Sequence, residues 1–423
     1  MPESETIPRH LAGIAREVLS EEPVLILTGA RQAGKTTLVR GLAAELRGTY
    51  VSLDEPDVLA AARADPMSIM RSVREPIVID EFQRAPEILL AVKTLVDRRR
   101  APGRFILTGS TRFMSLPKLS ETLAGRAAIL ELWPFSVGET LRVHETFVDD
   151  LFSAGRFSLG TVHGEPTDYL SLACRGGFPV VLDRSPRSAA RWLDSYVTTV
   201  TQRDVLELSR IQRSKDLLRT LKLAAARTAT VLNVSALAAD AGQMPVATVN
   251  DYLALLESVY LVRRVPAWST NLTAKVARHP KLHMTDTGLG AFLLGLDVAG
   301  AQARRAAAAG PLLETFVVNE LAKQLGWSKA SASLFHFRDR SGIEVDAILE
   351  TRDGRVAAVE VKAGTRVDAV DMRGLELLRD RLGDRFVRGV VLFTGTIPQE
   401  RGDRLSALPM RELWRGASRI TLT

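Results

Sequence analysis

The chain has 423 residues and a single cysteine, Cys174. No intrachain disulfide can form, which suits a reducing compartment. Cys174 itself reads as a small buried residue. Histidine is also scarce, with six in all. His279 and His283 have i, i+4 spacing, but Pro280 spoils a shared helix, and no cysteine or acidic partner completes a zinc pattern. No apolar run approaches the roughly 18 residues that a membrane-spanning helix needs. Met1 to Arg9 carries acids and proline where a secretory signal has a charged head and an apolar stretch. There is no internal repeat. These absences lead to the expectation of a cytoplasmic protein with no membrane partner.

What is present is an ordinary globular balance, 46% hydrophobic and 25% charged. At roughly 100–200 residues per domain, the length suggests two to four domains. The net charge of +7 permits contact with nucleic acid or an acidic surface without requiring it. The run Arg98-Arg99-Arg100 fits the end of a helix, where positive charge suits the dipole.

The first part alternates short apolar runs with helical segments. Val24 to Thr28, Thr49 to Leu53, Ile77 to Ile79, Arg104 to Thr108 and Ile129 to Trp133 read as strands. Thr36 to Leu46 and Pro86 to Arg99 read as helices. Buried strands without alternation, separated by helices, predict a parallel α/β sheet. From Phe147 to Leu217 the pattern is mainly helical, with a long amphipathic helix over Ala189 to Leu208. Val234 to Asp240, a turn at Ala241-Gly242, then Val246 to Leu256 and a strand over Tyr260 to Val265 suit a winged helix, or a linker module that only packs. Farther on, a helix over Leu312 to Gln324 precedes a strand over Leu334 to Arg338. Glu344 to Glu350 and Arg355 to Lys362 form a hairpin about Asp353-Gly354. A helix over Asp368 to Leu382 and a strand over Gly389 to Phe393 close the pattern. Ala301 to Ala309 reads as a loop or an exposed helix.

The segment Gly29-Ala30-Arg31-Gln32-Ala33-Gly34-Lys35-Thr36 fits G-x-x-x-x-G-K-[ST] at every required position, after a strand and before a helix. Glycines let the backbone turn and aim several N–H groups at phosphates. The helix N-terminus adds favourable partial charge. Lys35 can reach the β- and γ-phosphates of ATP, and Thr36 can offer its hydroxyl to magnesium. Thr37 completes the loop. In Pro76 to Glu81 an apolar strand delivers two acids to its C-terminal end, where sites form in open α/β sheets. Asp80 would hold magnesium, and Glu81 would orient or deprotonate the attacking water. Ser110, or Thr108, would sense the γ-phosphate. Arg126 is the candidate arginine finger, serving its own chain or a neighbour; the second case would require a homo-oligomer.

Taken together, LTGARQAGKTTLVR, YVSLDEPD, VIDEFQRAP, LTGS, ETLAGR and ELWPFSVGE resemble the AAA-type ATPase family whose members also carry a DUF4143 C-terminal region. RGGFP, YVTTVTQRDV and TDTGLG continue the likeness, which runs from about Arg9 to Phe393. Ala30 departs from a frequent proline without touching phosphate binding. The C-terminal region further resembles the PD-(D/E)xK nuclease fold, with Asp346 and then Glu360-Val361-Lys362 at the matching positions. Glu314, on the preceding helix, is a further acid. Two carboxylates on adjacent strands can hold magnesium or manganese, and a lysine two residues on shares their face. Val345 stands where the motif has proline.

The resulting expectation is a P-loop, AAA-like α/β ATPase domain over 1–140 and a helical region over 141–216. A winged-helix-like region over 217–270 and a nuclease-like α/β domain over 271–423 complete it. ATP hydrolysis would gate metal-dependent cleavage of DNA by Asp346, Glu360 and Lys362. The alternative is a nucleotide switch, or a DNA-binding ATPase, whose nuclease-like module is inactive and serves a protein partner.

Overall fold

The computed structural model describes residues 6–112, 122–153, 156–157, 167–204, 214–271, 278–296, 302–415 and 420–421. The chain divides into two compact units, Met1–Phe135 with Ser258–Tyr260, and Ser136–Glu257 with Leu261–Thr423. Among the described residues no helix is long and apolar enough to cross a membrane.

The first unit is built on five strands: β1 (Val24–Gly29), β2 (Thr49–Ser52), β3 (Ile77–Asp80), β4 (Phe105–Gly109) and β5 (Ala127–Leu132). They lie in the order β2-β3-β4-β1-β5, all parallel. Strands covered on both faces need apolar residues at consecutive positions, and β1 has them. Val24 and Ile26 pack with Phe82, Ile88 and Val92. Leu25 and Leu27 pack on the other face with Leu11, Val39 and Leu42. Because every strand runs the same way, Gly29, Asp80 and Gly109 end on one edge of the sheet.

The second unit opens with helices Val137–Leu141 and Phe147–Phe152, then the short β6 (Arg156–Phe157) and helices Tyr169–Arg175 and Pro186–Thr199. The sequence predicts one helix over 189–208. The regular helix ends at Thr199 and passes into a π-helical turn over Val200–Asp204; Val205 to Leu208 lie outside the described residues. A run of hydroxyls accounts for the early end. Ser195 donates to the Arg191 carbonyl, Thr199 to Ser195 and Thr201 to Val197, and such back-bonding competes with the helical ladder.

Next come helix Ser214–Ala226, β7 (Thr230–Val231), helices Val234–Asp240 and Val246–Ser258, β8 (Val262–Val265) and β9 (Lys281–Met284). The three strands form an antiparallel sheet in the order β7-β9-β8. Asn233 starts the first helix of the pair by accepting from the Ala236 N–H at 3.0 Å. After helix Thr287–Leu293, helix Gln302–Gln324 includes the alanine-rich stretch and Pro311.

The second sheet contains β10 (Ala332–Arg338), β11 (Glu344–Thr351), β12 (Val356–Lys362), β13 (Phe386–Phe393), β14 (Gln399–Glu400) and β15 (Leu405–Pro409). Its order is β10-β11-β12-β13-β15-β14. β10 to β12 run antiparallel, and β12 and β13 run parallel across helix Ala369–Leu382. A two-residue β16 (Ile420–Thr421) pairs with β6. Leu349, Val359 and Val390 pack with Phe316 and Val317 of helix Gln302–Gln324, and Phe147 and Tyr169 join that core. Ile348, Ala358 and Val391 face Leu375 and Leu378 on the other side. The regions over 141–216 and 271–423 therefore share one apolar interior.

Candidate active site

The phosphate loop leaves β1 through a tight contact. A Cβ on Gly29 would stand 2.1 Å from the Leu132 carbonyl oxygen, so only glycine allows β1 and β5 to pair this far. The chain then takes left-handed conformations at Gln32 and at Gly34, where φ is +97°. The second is costly for any side chain and starts helix Lys35–Glu45. Ala30 and Ala33 are buried, and Gln32 and Thr37 are exposed. Arg9 pins the loop from outside. Its guanidinium donates to the carbonyls of Ala33 at 2.7 Å and Trp133 at 2.6 Å.

Lys35 is buried, and its ammonium donates to the carbonyls of Gly29 at 2.9 Å and Ala30 at 3.0 Å. Thr36 Oγ1 donates to Asp80 Oδ2 at 2.8 Å, and so does the Tyr50 hydroxyl at 2.5 Å. Thr108 Oγ1 donates to the other oxygen of Asp80. Burial first, and then the Asp80 carboxylate, push the Tyr50 hydroxyl up to about 12, so it stays a donor. Glu81 follows with φ of +59°, a conformation that turns its side chain out of the strand. Its Oε2 accepts from the Ser110 N–H at 3.3 Å, from Ser110 Oγ at 3.1 Å and from Gln83 Nε2. Three donors thus converge on one oxygen of the carboxylate.

This donor set fits a nucleotide with magnesium. An ammonium resting on carbonyl oxygens is one that phosphate can draw away. A hydroxyl beside a carboxylate supplies hard oxygen ligands. Lys35, Thr36, Asp80, Glu81 and Ser110, all named from the sequence, come together at one edge of the sheet. Arg9, Tyr50 and Gln83 were not named; no local pattern marks Arg9, which lies 24 residues before its loop partner.

Arg126 is elsewhere. It immediately precedes β5, whose Ala127 is level with Val24 while Leu132 is level with Gly29. Five residues of strand put about 16 Å between those ends. Its guanidinium pairs with Asp97 at 2.5 Å. A role on the phosphates of its own chain is thereby corrected: the strand's direction carries it to the opposite edge.

The carboxylates named in the C-terminal region also come together, around a residue that was not named. Lys281, from β9, is 3% exposed in its side chain. Its ammonium lies 2.7 Å from Glu314 Oε1, 2.9 Å from Asp346 Oδ1 and 3.7 Å from Glu344. Asp346 Oδ2 accepts from the Val361 N–H at 3.0 Å. Lys362 lies 2.9 Å from Glu360 Oε1, and Glu360 Oε2 is buried with no hydrogen-bond partner. Burial would lower the Lys281 pKa, but Asp346 and Glu314 more than offset it and the net shift is upward. Burial, then Asp346, pushes Glu360 up to about 8, and burial holds Glu314 well above the usual range. The Lys281 ammonium is thereby held in its charged form. Among the described residues, no group of three or more His, Cys, Asp or Glu is arranged to hold a metal ion. His283, one of the discarded zinc candidates, is buried on β9 with its Nδ1 3.2 Å from Thr315.

Three family models match consecutive stretches. These are an AAA domain over residues 21–141 and domains of unknown function, DUF8612 over 166–299 and DUF4143 over 309–413. The uncharacterized proteins Rv2008c of Mycobacterium tuberculosis and Mb2031c of Mycobacterium bovis are each 32% identical over 357 residues, covering 84% of this chain and 73% of theirs. The chain belongs to their family. Its AAA domain makes it an ATPase, and the DUF4143 region follows. Among solved structures, it is similar to the Walker-type ATPase PABY2304 of Pyrococcus abyssi, at 14% identity and TM-score 0.41 over 68% of this chain and 96% of that one. It is also similar to a point variant of Thermotoga maritima RuvB, at 22% identity and TM-score 0.29 over 62% and 90%. Scores that low are no guide to function.

Proposed function

We propose that the protein is a magnesium-dependent ATP phosphohydrolase working as a nucleotide switch on a protein partner, with a nuclease-like module that does not cut. The observation that carries the ATPase half is the convergence of Lys35, Thr36, Asp80, Glu81 and Ser110 at one sheet edge. Lys35 exchanges the Gly29 and Ala30 carbonyls for the β- and γ-phosphates of ATP. Thr36 and Asp80 hold magnesium, which neutralises phosphate charge when bound. Glu81, gripped through Oε2, presents Oε1 to the attacking water and takes its proton. Ser110 reports the γ-phosphate to Glu81 because its hydroxyl already bonds that carboxylate.

The switch half rests on charge. Helix, strand, helix, helix, strand and strand over 214–284 follow the order of a winged helix. In that fold the second helix of the pair enters the major groove. Here it is Val246–Ser258, with no lysine or arginine, and its exposed side chains include Val246, Ala247, Asn250, Asp251 and Ala254. A helix that lies against phosphates needs cations; this one suits a protein surface. The second reading, ATP-gated DNA cleavage, draws on Asp346, Glu360 and Lys362. Helix Gln302–Gln324, three antiparallel strands, helix Ala369–Leu382 and the parallel β13 support a nuclease-like ancestry. ATP turnover with and without single-stranded and duplex DNA separates the two. An unchanged rate is expected; strong stimulation would overturn the switch reading.

A further inference from the structure

We infer that Lys281 is a built-in cation that closes the carboxylate cluster of the C-terminal sheet to divalent metal. The inference rests on the nuclease-like reading of that sheet and explains why the module does not cut. The cluster draws its acids from three elements: Glu314 from helix Gln302–Gln324, Asp346 from β11 and Glu360 from β12. A divalent ion would use carboxylate oxygens of this kind as ligands. The ammonium of Lys281 already lies between Glu314 Oε1 and Asp346 Oδ1, at 2.7 and 2.9 Å. Asp346 Oδ2 is committed to the Val361 N–H. An ion taking the first two oxygens would have to displace the ammonium from between them.

The side chain of Lys281 is buried with the acids, away from water. It is 3% exposed, and β9 is held by pairing with both β7 and β8. Displacing it would leave a buried charge without its partners, which is strongly unfavourable. The orphaned Oε2 of Glu360 marks what the lock leaves undone: a buried ligand atom in the same cluster that no donor satisfies. The lysine lies within the DUF8612 match, whereas the acids lie within the DUF4143 match. The cation that fills the cluster is thus contributed by a separate region of the chain.

The test counts Mn2+ bound per chain, by electron paramagnetic resonance of the free ion. It compares the full-length wild type with Lys281→Ala, Asp346→Asn and the double variant. Manganese at the ATPase site is common to all four, so differences read the cluster. Lys281→Ala should gain one Mn2+, and Asp346→Asn added to it should remove that ion. No gain by a Lys281→Ala protein that keeps wild-type ATP turnover would overturn the inference. If Lys281→Ala does not fold, wild type against Asp346→Asn carries the test: equal Mn2+ supports the lock, and fewer in the variant overturns it. DNA cutting by Mn2+-loaded Lys281→Ala would support the lock and the nuclease-like reading together. A gained ion without cutting would uphold the lock and count against nuclease ancestry.

Discussion

Glu81→Gln separates catalysis from binding at the ATPase site. In the structure, Ser110 N–H, Ser110 Oγ and Gln83 Nε2 all donate to Oε2 of Glu81. A glutamine amide can meet the same donors with its carbonyl oxygen, which leaves its NH2 group where Oε1 stood. The side chain keeps its position and its grip on Ser110, but it can no longer accept a proton from water. Neither Lys35 nor Thr36 loses a partner, so ATP affinity should stay within about threefold, or under ~1 kcal/mol. Loss of a general base lowers turnover by roughly 10²–10⁴-fold, about 3–5 kcal/mol in the barrier. Equilibrium binding of labelled ATP alongside phosphate release measures both. The expected result is a protein that retains ATP and scarcely hydrolyses it. Turnover at the wild-type rate would refute the role of Glu81, and a parallel loss of affinity would make it a structural residue.

Two further outcomes follow from buried groups. Tyr260 is fully buried, and its hydroxyl lies within hydrogen-bond distance of Thr28 Oγ1 at 2.8 Å and of the Glu131 carboxylate at 3.2 Å, next to the phosphate loop. Tyr260→Phe should destabilise the first unit by ~1–2 kcal/mol, and an unchanged urea midpoint would refute the bond's worth. His336 is lowered from 6.5 to about 4, mainly by burial. A depressed folded pKa means its stability contribution is whole above pH 6.5 and is lost as pH falls through 4, up to about 3 kcal/mol. Glu360, raised to about 8, works in the opposite direction between pH 4.5 and 8. Wild type minus His336→Gln cancels that term, and their urea midpoints should converge on acidification from pH 7 to pH 4.5. Parallel curves would show that His336 is not the group responsible.

The candidate ATPase site was legible as a grouping of residues because its information is local. Eight consecutive residues specify the loop, and a strand ending in two acids specifies its partner. The same locality makes the hairpin about Gly354 and the paired helices after Asn233 readable. Lys281 was not readable: its partners Glu314 and Asp346 are 33 and 65 residues away. A lysine inside a short strand looks like any edge residue until the topology buries it. Tyr260 reaches Thr28 across 232 residues for the same reason. Arg126 sits in a suggestive segment, yet the direction of β5 decides which edge it occupies. The helix after Pro186 kept its apolar spacing in sequence, and only the hydroxyl bonds at Ser195, Thr199 and Thr201 show where it changes pitch.

The most direct measurement is Mg2+-dependent phosphate release and ATP binding by wild type and by Lys35→Ala. The expected result is turnover by wild type, with neither binding nor release by the variant, whose loop has lost the only ammonium positioned on the Gly29 and Ala30 carbonyls among the described residues. Equal turnover by the two proteins would contradict the assignment of the Gly29 to Thr37 loop as the site of ATP hydrolysis.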